Sequence, residues 1–171
     1  MLTPEKLSEI CVKCGMCCDG TLFNRATIKN TEDERLAKSF GLTTFSDADG
    51  KLNFQLPCHL FKGCCTVYDQ ARPNICGSFF CEPLKKAQKD EITFEKAEKL
   101  IDATVKLRNE IIEIASTITE FKGYDIRQLY AELDPKPSEA MKKHGKLLIK
   151  MIAIRVAMSS FQKESKTSSI A

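Results

Sequence analysis

Cys11-Val12-Lys13-Cys14-Gly15-Met16-Cys17-Cys18 carries four thiols in eight residues, at the spacing C-x2-C-x2-C-C. A buried cysteine can serve as a small hydrophobe, but four so close together do not all find core positions. The C-x2-C spacing instead lets two sulfurs of one tight turn face a common centre, as metal ligands must. Gly15 sits inside the loop, where a positive φ costs least, and Gly20 closes the segment. The stretch therefore predicts an N-terminal half organised by a metal.

The remaining cysteines extend that reading. All nine lie between Cys11 and Cys81, and the last 90 residues have none. A disulfide scaffold would need an oxidising compartment. The odd count and the adjacent pairs Cys17-Cys18 and Cys64-Cys65 also fit such a framework poorly. In a reducing cytosol these clusters read as metal sites. The second group comprises Pro57-Cys58-His59, Gly63-Cys64-Cys65-Thr66-Val67-Tyr68, Arg72-Pro73-Asn74-Ile75-Cys76 and Phe79-Phe80-Cys81. Its gaps are irregular, so it is no tandem of zinc knuckles. Pro57 and Pro73 stiffen the backbone beside the ligands, while Phe79 and Phe80 read as core.

Composition narrows the class. The chain has 171 residues, 43% hydrophobic and 29% charged, with a net charge of +3. Those values describe an ordinary soluble protein with room for one domain, or a small domain plus an extension. The charge is too small to argue for nucleic acid. No apolar run approaches the roughly 18 residues of a membrane span, and Met1-Leu2-Thr3-Pro4-Glu5 lacks the features of a signal peptide. A cytoplasmic protein, with neither membrane nor nucleic acid as partner, is the expectation.

Working outward, Thr3 caps a helix over about 4–10, with Pro4 at its first position. Residues 22–28 lean to strand. Thr31-Glu32-Asp33-Glu34 reads as a capping box for a helix reaching Phe40, stopped by Gly41. Asp47-Ala48-Asp49-Gly50 is a turn between strands, the second being the alternating Lys51-Leu52-Asn53-Phe54-Gln55-Leu56. It lacks the twelve-residue pattern of a calcium loop. From Thr93 to Phe121, Ala97, Leu100, Ile101, Thr104, Leu107, Ile111, Ile114, Ala115 and Ile118 recur at helical spacing. Asp125 caps a short helix carrying Ile126, Leu129, Tyr130 and Leu133. After the breaker Asp134-Pro135-Lys136-Pro137, Ser138 caps a last helix to Phe161, and 162–171 reads as a frayed tail. The fold class is mainly α with small irregular or β elements. A cysteine-rich module over 1–90 packs on a helical hairpin over 91–161, with a flexible tail over 162–171. Seven Lys or Arg face two Glu between Ser138 and Lys166, a solvated basic face that includes an exposed His144.

The order C-x2-C-x2-C-C, Pro-Cys, Cys-x-x-Tyr, Arg-Pro-x-x-Cys and Phe-Cys resembles the cysteine-cluster family described as a zinc- or iron-chelating domain (YkgJ type). Related domains occur in flagellin lysine methylases. The resemblance covers Cys11 to Cys81 and implies a ligand set of Cys11, Cys14, Cys17, Cys18, Cys58, Cys65, Cys76 and Cys81. Cys64 is then the extra thiol. Where the family often has arginine after its Arg-Pro-x-x-Cys cysteine, this chain has Gly77.

Eight thiolates make two sets of four, which suits tetrahedral zinc or iron–sulfur clusters. The first run leans to iron–sulfur by its spacing, although no Cys-Pro follows and Cys18 abuts Cys17. His59 is an alternative ligand that eight thiolates do not need. The expected function is a metal-binding accessory module, its helical half docking a protein partner. The alternative is an iron–sulfur-dependent oxidoreductase or methyl-transfer component. No G-x-G-x-x-G, Walker loop or C-x3-C-x2-C supplies substrate machinery for it. A catalytic pair of Cys58 and His59 is disfavoured because sequence neighbours seldom face each other.

Overall fold

A computed structural model describes residues 4–161 of the chain. It forms two compact units, one ending at Phe79 and the other beginning at Phe80. The expected cap at Thr3 and the tail over 162–171 lie outside the described residues. The fold class is the expected one: mainly helical, with one small sheet and a C-terminal helical pair. Among the described residues no helix is long and apolar enough to cross a membrane.

The N-terminal unit opens with α1 (Pro4–Cys14). Nothing between Ile10 and Cys14 breaks a helix, so α1 runs past its expected end. The first two thiols consequently sit one turn apart on a helix, not in a loop. Gly15, at φ +64°, is where the helix turns out. Strand β1 (Arg25–Thr27) follows, then α2 (Thr31–Ser39), β2 (Thr44–Ser46) and β3 (Leu52–Gln55). The strands form an antiparallel sheet in the order β1-β3-β2, with Phe54 opposite both Ala26 and Thr44. Ile28, Ala37, Leu42, Phe54 and Leu56 form the core between sheet and helix.

Two polar residues explain the sheet's rim. Asn53 is buried, donating to Asp47 Oδ2 and Lys51 O and accepting from Thr27 Oγ1 at 2.9 Å. Asp47 Oδ1 accepts the Asp49 and Lys51 N–H groups, so the Asp/Gly cluster is the expected turn. The cap of α2 lies one residue earlier than expected: Asn30, not Thr31, accepts the Asp33 N–H at 2.8 Å. The unit closes with α3 (Ile75–Ser78), one turn that no periodicity announced.

The C-terminal unit begins with α4 (Glu82–Gln88), also unexpected, whose start is marked by Pro83. Thr93 caps α5 (Phe94–Ser116), and a 3-10 turn (Thr119–Phe121) leads to α6 (Ile126–Leu133). Asp125 and Gln128 make a reciprocal capping box there. The long α7 (Pro137–Ser159) starts with proline in its first turn; Lys136 holds the cap position with no side-chain bond, so Ser138 is not the cap. Ile111, Ala115, Phe121, Leu129, Leu147 and Met151 lie at the centre of this core. His144 departs from helical geometry at φ −134°, ψ 35°. Its side chain is only 15% exposed and its Nε2 lies 2.8 Å from Glu120 Oε1, with the ring edge-on to Phe121. The expected exposed histidine is instead a packed one that joins α7 to the 3-10 turn.

Candidate metal centre

Four segments of the N-terminal unit bring Cys18, Cys58, Cys65 and Cys76 within electrostatic reach of one another. After α1 the chain folds back on Gly15, whose carbonyl accepts the Cys18 and Asp19 N–H groups at 2.8 and 2.9 Å. A Cβ at Gly15 would overlap the Phe61 ring. The glycine is thus required by close approach as well as by φ, and it marks where the first cysteine run meets the second. Gly20, at φ +83°, packs closely on Pro57, where a Cβ would come within 3.3 Å of its ring.

The second segment is tied to the first by backbone: Cys58 N donates to Cys18 O at 2.7 Å. Phe61 and Cys65 then form an antiparallel bridge, and Lys62 N donates to Cys64 O across Gly63. Neighbours in an extended segment alternate sides, which leaves Cys64 exposed while Cys65 is half-buried. The fourth segment is α3, where Cys76 N donates to Pro73 O at 2.8 Å. It is pinned to α2 through Asn74 N, which donates to Asp33 Oδ1 at 2.7 Å.

The electrostatics show which thiols share a field. Burial pushes Cys18 up to about 12, with Cys76, Cys58, Cys65 and Asp19 adding to the shift. Cys76 is pushed up to about 11, chiefly by burial; Arg72 opposes this, and Cys58, Cys65 and Asp33 reinforce it. Cys76 is exposed as a residue, yet protein around one side of its sulfur still disfavours a bare thiolate. Burial also raises Cys58, against backbone hydrogen bonds from Leu60 and Phe61. Arg72 stacks 4.2 Å over the Tyr68 ring. The Arg of Arg-Pro-x-x-Cys and the Tyr of Cys-x-x-Tyr therefore form one unit that presents a cation to Cys76.

Cys18, Cys58, Cys65 and Cys76 are sequence candidates that share this field. Cys11 and Cys14 lie on the last turn of α1, with Cys17 just beyond. Cys81 belongs to the C-terminal unit, at the cap position of α4, where burial raises its thiol. His59 is exposed beside a half-buried Cys58. None of the nine cysteines, all among the described residues, forms a disulfide. Among the described residues no three His, Cys, Asp or Glu side chains are drawn in to metal-ligand spacing. The two facts are compatible because Coulombic influence reaches further than a coordination bond. The donors are soft and mutually repelling when ionised, which fits a thiophilic cation. Spacing did not single out Asp33 or Arg72 for this place; Asp33 was hidden inside an ordinary helix-start pattern.

No family model, curated protein or solved structure matches the chain.

Proposed function

We propose that this chain is a metal-binding cysteine-cluster protein whose N-terminal unit holds zinc or an iron–sulfur centre, with its primary thiolates at Cys18, Cys58, Cys65 and Cys76. The supporting observation is that four chain segments bring Cys18, Cys58, Cys65 and Cys76 into one another's electrostatic reach, two of them joined by the Cys58 N to Cys18 O hydrogen bond. Cys11, Cys14 and Cys17 supply further thiolates at the end of α1, whereas Cys81, which the family resemblance also implies, lies in the other unit. Bound zinc would lock the unit's fold, whereas an iron–sulfur centre would supply electron transfer. The protein's own part is to hold the sulfurs, aim backbone N–H groups at Cys58, and place Arg72 against the negative charge. A reducing, cytoplasmic setting agrees with nine cysteines outside disulfides. The role is that of an accessory module. Its partner surface is the exposed ridge Ile149, Ile152 and Val156 on α7, at the i, i+3, i+7 spacing that a protein partner reads.

The test is anaerobic purification of the full chain with elemental analysis, sulfide assay and an absorption spectrum. Zinc or iron at one or more atoms per chain is expected, with loss in Cys18→Ser and Cys58→Ser. A chain that takes up neither metal overturns the reading.

A further inference from the structure

Asp33 is 4% exposed, on the first turn of α2. Its backbone N–H is occupied by Asn30 and its Oδ1 by Asn74 N. Its Oδ2 is buried and has no hydrogen-bond partner among the described residues. A carboxylate oxygen held out of water needs a compensating partner. The cations of its own helix do not supply one, because Arg35 pairs with Glu32 and Lys38 with Glu34.

This carboxylate is tied directly to the segment that carries Cys76. Asp33 Oδ1 fixes the residue two before Cys76, and the Asp33 charge is felt at the Cys76 sulfur. The donor count agrees. Of the eight cysteines implied as ligands, seven lie in the N-terminal unit and Cys81 in the other. Asp33 brings that unit's donors to eight, the number taken by two four-coordinate centres.

We propose that Asp33 is a metal ligand: its Oδ2 donates to the cation that Cys76 holds, making a site of mixed sulfur and oxygen donors. This rests on the metal-binding reading above and departs from an all-cysteine site. Carboxylate oxygen is a normal zinc donor beside thiolate, and it makes a cluster position more exchangeable than sulfur would.

Asp33→Asn in the full chain separates ligation from scaffolding. The amide keeps an Oδ1 for Asn74 N and replaces Oδ2 with an NH2 that cannot bind a cation. Wild type and D33N are loaded anaerobically with zinc(II), or with iron and sulfide. They are compared by chelator competition, X-ray absorption and circular dichroism. The expected result is at least tenfold weaker metal binding in D33N with unchanged helix content. The wild-type oxygen scatterer at about 2.0–2.2 Å is lost while sulfurs at about 2.3 Å are kept. A D33N chain with wild-type affinity and the same shell overturns the ligand proposal and leaves the metal-binding reading standing. A wild-type chain that takes up no metal overturns both. If D33N does not fold, the wild-type spectrum decides, since a shell of sulfur alone overturns the proposal and one containing oxygen upholds it.

Discussion

Gly15 answers two demands at one Cα: a φ of +64° and a Phe61 ring where a Cβ would go. Gly15→Ala should therefore destabilise the N-terminal unit by about 1–3 kcal/mol, read as a lower urea midpoint. The thiols give a second expectation. Because Cys18 and Cys76 hold their protons up to about 12 and 11, each loses one when a metal binds at neutral pH. Apparent metal affinity should thus rise between pH 6 and 8, by up to about tenfold per unit for each proton released. A pH-independent affinity would show that these two sulfurs are not ligands. Cys64→Ser should keep full metal content while Cys65→Ser loses some, since only Cys65 shares the field of Cys18. The reverse result would put the register of this pair one residue out.

The elements differ in how far the sequence exposed them. Asp125 with Gln128 was readable because a capping box is local chemistry. Asp125→Ala should cost about 1 kcal/mol of the C-terminal unit's stability, seen as a lower Tm, and leave metal content untouched. The α5 periodicity was readable because one face is buried along 23 residues. By contrast, α3 has four residues and α4 seven, too few for a period to repeat. Asn30 displaced Thr31 as the α2 cap because either residue type serves there, and only backbone geometry decides between them. At the site, the sequence showed which atoms were ligand-like but not which of them meet. Cys18 and Cys58 are brought together by a backbone bond across forty intervening steps, which no spacing rule encodes. Asp33 was invisible for another reason: an acid in a helix's first turn is ordinary, and only its burial makes it unusual.

On the metal-binding proposal, the two units draw stability from different sources. The C-terminal unit has eleven buried residues in one apolar cluster, whereas the N-terminal cluster named above has five, with Leu7, Ile10, Met16 and Leu22 buried outside it. Chelation should therefore open the chain up to about residue 79 to protease while the later helices persist, as seen by circular dichroism with limited proteolysis. A metal-stripped chain as resistant as the loaded one would remove the metal from the account of stability. The backbone hydrogen bond from Cys58 N to Cys18 O also carries a consequence in time. At about 5–20 residues per second, a ribosome needs about 2–8 s to make the forty residues from Cys18 to Cys58. The first four sulfurs therefore leave the ribosome that long before Cys58 does. Whatever the cell delivers in those seconds, metal carrier or oxidant, meets Cys11, Cys14, Cys17 and Cys18 first.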